Sequence, residues 1–171
     1  MTRTLKVSAL VALIFSMSSL VWAQAKPDFA GKWTLDEAKS DPAPQRGGGG
    51  GGGGGGGRGM GRGGGAAATA LNITQTPAQL TIDRTMGQGN QTAVYKLDGS
   101  ESTNEMGMGK ATSKASWEGA SLVITTSQTM QGRGGEPMTI QLKEVYSLEG
   151  GALQVIRSTE TPNGTQSRKL I

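Results

Sequence analysis

The chain of 171 residues contains no cysteine and no histidine. Without cysteine it has no disulfide framework, no thiolate nucleophile and no lipid-modified N-terminal cysteine. Without histidine it lacks the commonest metal ligand and the usual general base near neutral pH. The sequence also shows no catalytic serine triad and no phosphate-binding glycine loop between a strand and a helix. We therefore expect a protein that is not an enzyme, with no catalytic residue, no metal site of the usual ligands and no cofactor.

A uniformly basic surface is also missing, although the formal net charge is +4. Arg3 and Lys6 lie near the N-terminus, and Arg46, Arg58 and Arg62 lie in or beside a glycine tract. Without those side chains the rest of the chain is close to neutral. The charge therefore does not indicate a basic binding face, and we expect no nucleic-acid partner.

Residues 1–25 have the pattern of a signal peptide. A short basic start precedes the apolar run Val7–Val21, and small residues at Ala23 and Ala25 suit cleavage. An uncleaved membrane anchor is the alternative, but the run is shorter than the ~20 residues of a membrane-spanning helix. We expect an exported protein, periplasmic or extracellular, with no membrane span after cleavage.

Residues 42–65 are rich in proline and glycine, and Gly47–Gly57 is uninterrupted glycine. Glycine at this density buries no surface and is entropically costly to order. The segment is predicted to be a disordered loop inserted between the first and second strands. Arg-Gly repeats can also bind nucleic acids through charge and stacking. Three arginines without an aromatic residue favour a tolerated insertion instead.

After the glycine tract, short alternating apolar and polar runs recur about every ten residues, separated by turn signals such as Asp98-Gly99 and Asn163-Gly164. No helical pattern competes with them outside the leader. The pattern predicts an all-β, monomeric domain formed by residues 26–41 and 66–171. Its expected fold is an antiparallel up-and-down meander barrel of eight to ten strands, which removes exposed edges. A two-sheet sandwich is the runner-up, but its crossings need longer connections.

The pattern Phe29-x-Gly31-x-Trp33 before a β meander resembles the lipocalin-like (calycin) group. The match continues in small exported bacterial lipocalin-like proteins of unassigned function. It covers nearly all of residues 28–171 except the glycine tract, and its quoted segments are Gly31–Asp41, Tyr95–Asn104, Trp117–Ile124 and Tyr146–Leu153.

The resemblance implies that Trp33 lies on the first strand and closes one end of a barrel. It also implies that a late arginine packs over this tryptophan in a cation–π contact. Arg168 is the preferred candidate, because the last strand must neighbour the first for closure, and Arg157 is the other.

A lipocalin-like barrel can bind a small apolar ligand inside. The candidate interior residues are Ile73, Ile82, Tyr95, Trp117, Ile124, Leu142 and Tyr146. Core packing is the competing interpretation of these side chains. The alternative function is an envelope or surface interaction protein with a filled barrel and a flexible glycine-rich loop.

Four methionines lie in or beside predicted turns: Met106, Met108, Met130 and Met138. Clustered thioethers can bind Cu(I), which is a weaker functional alternative. The competing interpretation is that these methionines pack as adaptable hydrophobic side chains and fill one end of the barrel. With nine strands the loops that carry them share one end, whereas a separate strand over Ser100–Met106 is expected to split the cluster.

Overall fold

The computed structural model describes residues 25–43, 67–87, 89–106, 109–131, 135–161 and 164–171. The predicted signal peptide, apart from Ala25, lies outside these residues. The predicted disordered loop, apart from Pro42 and Ala43, also lies outside them. No helix capable of crossing a membrane occurs in the described part of the chain.

Ten strands account for most of the described residues, which include no helix. The strands are β1 Gly31–Thr34, β2 Ala70–Gln75, β3 Gln79–Met86, β4 Gly89–Lys96, β5 Glu101–Met106, β6 Gly109–Glu118, β7 Ser121–Gln131, β8 Pro137–Glu149, β9 Ala152–Thr161 and β10 Gly164–Leu170. The predicted all-β class is therefore confirmed.

The strands form two antiparallel meanders rather than one closed ladder. One sheet has the order β1-β2-β3-β4, and the other has the order β10-β9-β8-β7-β6-β5. Backbone pairing stops between β4 and β5 and again between β10 and β1. Within the described ranges the meander topology is as predicted, but a closed barrel is not found.

Side chains join the sheets at the first seam, between β4 and β5. Asn104 on β5 accepts a hydrogen bond from the Val94 amide at 2.7 Å and donates one to the Val94 carbonyl at 2.9 Å. The Ser102 hydroxyl accepts from the Lys96 amide at 2.9 Å. These side chains replace backbone partners, because unpaired buried backbone groups are costly. Side-chain hydrogen bonds therefore stand here where a closed barrel would have a backbone ladder.

The second seam joins the turn after β1 to the end of β10. The Asp36 amide donates to the Ile171 carbonyl at 2.7 Å, and the Asp41 amide donates to the Lys169 carbonyl at 2.9 Å. In return, the Lys169 amide donates to the Asp41 carboxylate at 2.7 Å, and the Ile171 amide donates to the Ser40 hydroxyl at 2.9 Å. The polar turn therefore occupies the place where β1 would meet the last strand in a closed barrel.

The core lies between the two sheets and includes one residue that precedes β1. Phe29 is fully buried. Its ring stacks on Trp117 with centroids 5.8 Å apart and planes 8° apart, and it packs against Tyr146 at 6.3 Å. The segment before β1 thus adds an aromatic side chain to the core.

Trp33 is only half-buried, and its indole N–H donates to the Phe29 carbonyl at 2.9 Å. Gly31, between them, has a φ of 146°, a conformation that other residues rarely adopt. The described cation–π contacts do not pair Arg168 with Trp33, and the Arg168 Nε instead donates to the Asp41 carbonyl at 2.7 Å. The preferred cation–π partner of the motif is therefore absent from the described contacts.

The described cation–π contacts involve other residues. The Lys26 ammonium lies over the Trp117 ring at 5.4 Å, and the Arg84 guanidinium lies over the Tyr95 ring at 6.0 Å. Both of these aromatic residues belong to or border the core. Lys26 and Arg84 therefore place positive charge against aromatic rings of the core, and neither contact was predicted from the sequence.

Candidate functional site

A cavity of about 190 Å³ lies where β1, β2 and β3 face β8, β9 and β10. Much of its wall is apolar, and the larger apolar residues are Trp33, Leu35, Leu71, Met86, Leu153, Val155, Leu170 and Ile171. Four polar side chains that interact with one another also line it: Arg84, Glu144, Tyr146 and Arg157. We call these four the charged group. The cavity thus combines an apolar space with a charged wall.

Two members of the charged group form an ion pair between the sheets. Arg84 extends from β3, and its Nη2 lies 2.9 Å from Oε2 of Glu144 on β8. Their side chains are only 7% and 6% exposed. Burying charges is costly unless they are paired and hydrogen-bonded. The stability of this pair therefore depends on the hydrogen-bonding groups that surround it.

Two tyrosine hydroxyls complete the hydrogen bonding of the pair. The Arg84 guanidinium donates to the Tyr146 hydroxyl at 3.0 Å and to the Tyr95 hydroxyl at 3.3 Å. The Tyr146 hydroxyl in turn donates to Glu144 at 3.2 Å. Burial raises the pKa of both tyrosines above the usual phenol value. Both hydroxyls therefore remain protonated and able to donate.

Burial alone would lower the pKa of the Arg84 guanidinium, but Tyr146 and Glu144 outweigh this effect. The pKa of Arg84 is consequently held well above its usual range. Arg84 is thus a permanent cation in the wall of the cavity, and a ligand bound there would experience a fixed positive charge.

Arg157 on β9 supplies a second cation to the same wall. Its Nε lies 4.0 Å from Oε1 of Glu144, and its side chain is 27% exposed. This Nε is buried but has no hydrogen-bond partner. Two guanidinium groups therefore share one carboxylate, and the partly exposed side chain of Arg157 offers its positive charge to an acceptor group on a ligand.

The residues predicted as ligand contacts are mostly packed in the core. Those in the core cluster are Ile73, Ile82, Tyr95, Ile124 and Tyr146. Trp117 is half-buried and packs against this cluster, and Leu142 is buried outside it. Tyr146 is the member of the predicted set that also lines the cavity. Ligand contact by the others stays a prediction.

The predicted ligand contacts did not include Arg84, Glu144 or Arg157, although Arg157 was the second candidate for the cation–π contact with Trp33. A sequence signal for two of them existed. Arg84 falls at the buried parity of Leu80 and Ile82, and Glu144 interrupts the buried parity of β8. A charged residue that points into the interior needs a partner of opposite charge. The sequence could therefore have predicted an ion pair between an inward arginine and an inward glutamate.

No protein-family model matches the sequence, and no curated protein matches it. The resemblance to lipocalin-like proteins therefore rests on the quoted motifs. The functional interpretation of the cavity rests on its own geometry.

Proposed function

We propose that this protein is an exported, non-catalytic, lipocalin-like protein that binds a small ligand in the cavity between its two sheets. The ligand would have an apolar body and one anionic group. The observation that carries this proposal is the presence of two arginines, Arg84 and Arg157, against the single carboxylate of Glu144 in the wall of an otherwise largely apolar cavity.

The cavity volume limits the size of the ligand. Drug-sized ligands occupy pockets of about 300–1,000 Å³, whereas an apolar cavity of about 150 Å³ accommodates benzene. A volume of about 190 Å³ therefore suits a single ring with a short substituent. Leu71, Leu153 and Val155 offer the apolar contacts for such a body.

The charge of the wall sets the preferred head group. Arg84 and Arg157 are balanced by Glu144 alone within the charged group. The other two charged residues of the wall, Asp36 and Lys39, pair with each other at 3.0 Å and leave this excess of positive charge unchanged. A carboxylate placed beside Arg157 would accept a charge-assisted hydrogen bond, which is stronger than a neutral one. An ammonium group at the same place would meet two cations. The site is therefore expected to prefer acids over alcohols, and alcohols over amines.

The lipocalin-like part of the proposal is supported by the two seams. Side-chain and turn hydrogen bonds join the sheets on both sides, at Asn104 and at Asp41. Such an arrangement can enclose a ligand between two sheets much as a barrel does. The export part is supported by the leader pattern of residues 1–25.

The test uses three ligands that share one apolar body: phenylpropionate, phenylpropanol and phenylpropylamine. Because Trp33 lines the cavity, binding is followed by tryptophan fluorescence and by NMR. The acid should bind most tightly. In Arg157→Met the acid should lose affinity while the alcohol does not, and Arg168→Met, which removes a guanidinium outside the cavity, should behave like the natural protein. Equal binding of the amine and the acid would refute the proposal.

The alternative, an interaction protein with a filled interior and a flexible glycine-rich loop, stays a prediction. The glycine tract on which it depends lies outside the described residues.

A further inference from the structure

Three methionines lie in one row across the six-stranded sheet, at the end where β5 and β7 terminate. Met106 on β5 is paired with Gly109 on β6, and Met130 on β7 is paired with Met138 on β8. The pairing of β6 with β7 ends at Ala111 and Gln128, and Gly109 and Met130 lie two positions beyond them, on the same faces of these strands. In the strand order β5-β6-β7-β8, the residues at this end are therefore Met106, Gly109, Met130 and Met138. We call the three methionines the thioether row.

This arrangement corrects one expectation from the sequence. A separate strand over Ser100–Met106 was expected to split the methionines between two ends of the fold. The strand exists as β5, but β5 and β7 both pair antiparallel with β6 and so run in the same direction. Their last residues consequently lie at the same end, and the expectation was wrong for Met106, Met130 and Met138. Met108 lies outside the described residues.

All three methionines lie on the face of their strand that carries the buried residues. Met106 shares the parity of Asn104, and Met130 shares the parity of Thr126. Met138 follows the buried parity of β8. Each of the three is half-buried. The thioether row thus lies at the border of the interior, where an ion from solvent can reach it.

Gly109 leaves room within the row. A side chain added at Gly109 would meet no heavy atom within 4 Å. Paired strands are about 4.8 Å apart. Because β6 separates β5 from β7, the backbones of Met106 and Met130 lie about 10 Å or more apart, with Gly109 of the intervening strand between them. Long side chains on this face do cross that distance, since Gln128 on β7 donates to the Met106 carbonyl on β5 at 2.6 Å.

The geometry points to a binding site for a soft monovalent metal ion, Cu(I) or its analogue Ag(I), formed by the thioether groups of Met106, Met130 and Met138. Thioethers are soft ligands that select such ions over hard cations. The chain has no cysteine and no histidine, so no stronger soft ligand competes within the protein. The site is separate from the charged cavity and does not depend on the function proposed there.

The first experiment titrates Ag(I) into the full chain labelled with carbon-13 at the methionine methyl groups. The chain has 8 methionines, so each methyl signal can be assigned by substitution. The signals of Met106, Met130 and Met138 should shift together and saturate at one Ag(I) per chain, and Mg²⁺ should leave them unchanged. Equal shifts of all methionine signals, without saturation, would show non-specific binding and overturn the proposal.

The second experiment uses substitutions that preserve volume, since leucine replaces methionine in cores at small cost. Each of Met106→Leu, Met130→Leu and Met138→Leu should weaken Ag(I) binding at least about tenfold, equivalent to about 1.4 kcal/mol. Met86→Leu is the matched control on the other sheet and should leave the affinity unchanged. An equal loss in Met86→Leu, or a triple variant that binds like the natural protein, would contradict the site. Circular dichroism confirms that each variant is folded, and the titration of the unsubstituted protein tests the site without any variant.

A third measurement replaces Ag(I) by Cu(I), kept reduced without oxygen and offered in competition with a Cu(I) chelator. The natural protein should remove Cu(I) from the chelator, and the triple leucine variant should not. Removal by both proteins to the same extent would count against the thioether row.

Discussion

Arg84 and Glu144 form an ion pair, with Nη2 and Oε2 2.9 Å apart, that joins the four-stranded sheet to the six-stranded sheet. Both side chains are almost completely buried. The pair lies in the wall of the cavity and is held by two tyrosine hydroxyls. It therefore serves both the packing of the sheets and the charge of the candidate site.

Removing one member of this pair should be strongly destabilising. Glu144→Leu leaves two guanidinium groups without a carboxylate, and breaking a buried pair typically costs about 3–5 kcal/mol. The free energy of unfolding in urea should fall by this order. The double variant Arg84→Met/Glu144→Leu should lose less than the sum of the single changes, because no unpaired charge remains.

The exposed ion pair between Lys114 and Glu101 provides the control. Its charged atoms are 3.4 Å apart, and both side chains are 62% exposed. Glu101→Leu should change the unfolding free energy little, because solvent screens such pairs. Equal losses for Glu101→Leu and Glu144→Leu would show that burial does not decide the effect.

Alkaline pH should destabilise the fold through its two tyrosines. Burial raises the pKa of Tyr95 and Tyr146 above the ordinary phenol value of 10.0. Their contribution to stability is fully present below pH 10.0, the value at which the unfolded phenols titrate. At higher pH the folded state binds more protons than the unfolded state, and the unfolding free energy falls as pH rises.

These are the only tyrosines in the chain, which makes the measurement simple. Phenolate absorbance should appear together with the loss of circular dichroism, in one transition. Phenolate that appears gradually while the protein stays folded would contradict the burial of both hydroxyls. Tyr95→Phe should halve the absorbance change and leave its coincidence with unfolding intact.

Phe29→Ala should destabilise the protein although Phe29 precedes the first strand. The side chain is completely buried and stacks on Trp117. Truncation of a buried phenylalanine costs about 3–5 kcal/mol. The fluorescence of Trp117 should also change, since the stacked ring is lost. Leu148→Ala is the control, because Leu148 is 37% exposed, and a similar loss there would contradict the core position of Phe29.

Asn104→Ala should open the first seam. The Asn104 amide makes two hydrogen bonds to the backbone of Val94, and leaving such groups unsatisfied costs about 1–3 kcal/mol each. Hydrogen exchange of the Val94 amide should accelerate. Asn72→Ala, which removes an exposed hydrogen bond to Asp83, should leave Val94 protected. Unchanged exchange in Asn104→Ala would mean that the seam has other support.

Local features of the fold could be predicted from the sequence because they depend on neighbouring residues. Alternation of apolar and polar residues predicted strands such as β3, and Asp98-Gly99 predicted the turn between β4 and β5. The strand over Glu101–Met106 was harder to predict, since its buried residues are Ser102 and Asn104 rather than apolar ones. Their side chains are buried because they bond to β4.

The sequence by itself determined the all-β class, the order of the hairpins and the absence of cysteine and histidine chemistry. The tertiary structure decided which distant residues meet. Arg84 and Glu144 are 60 positions apart, and their contact depends on how two sheets pack. The thioether row likewise depends on strand register across the sheet. Alternation within a strand defines which face a residue occupies, whereas only the packing of the strands defines what that face meets.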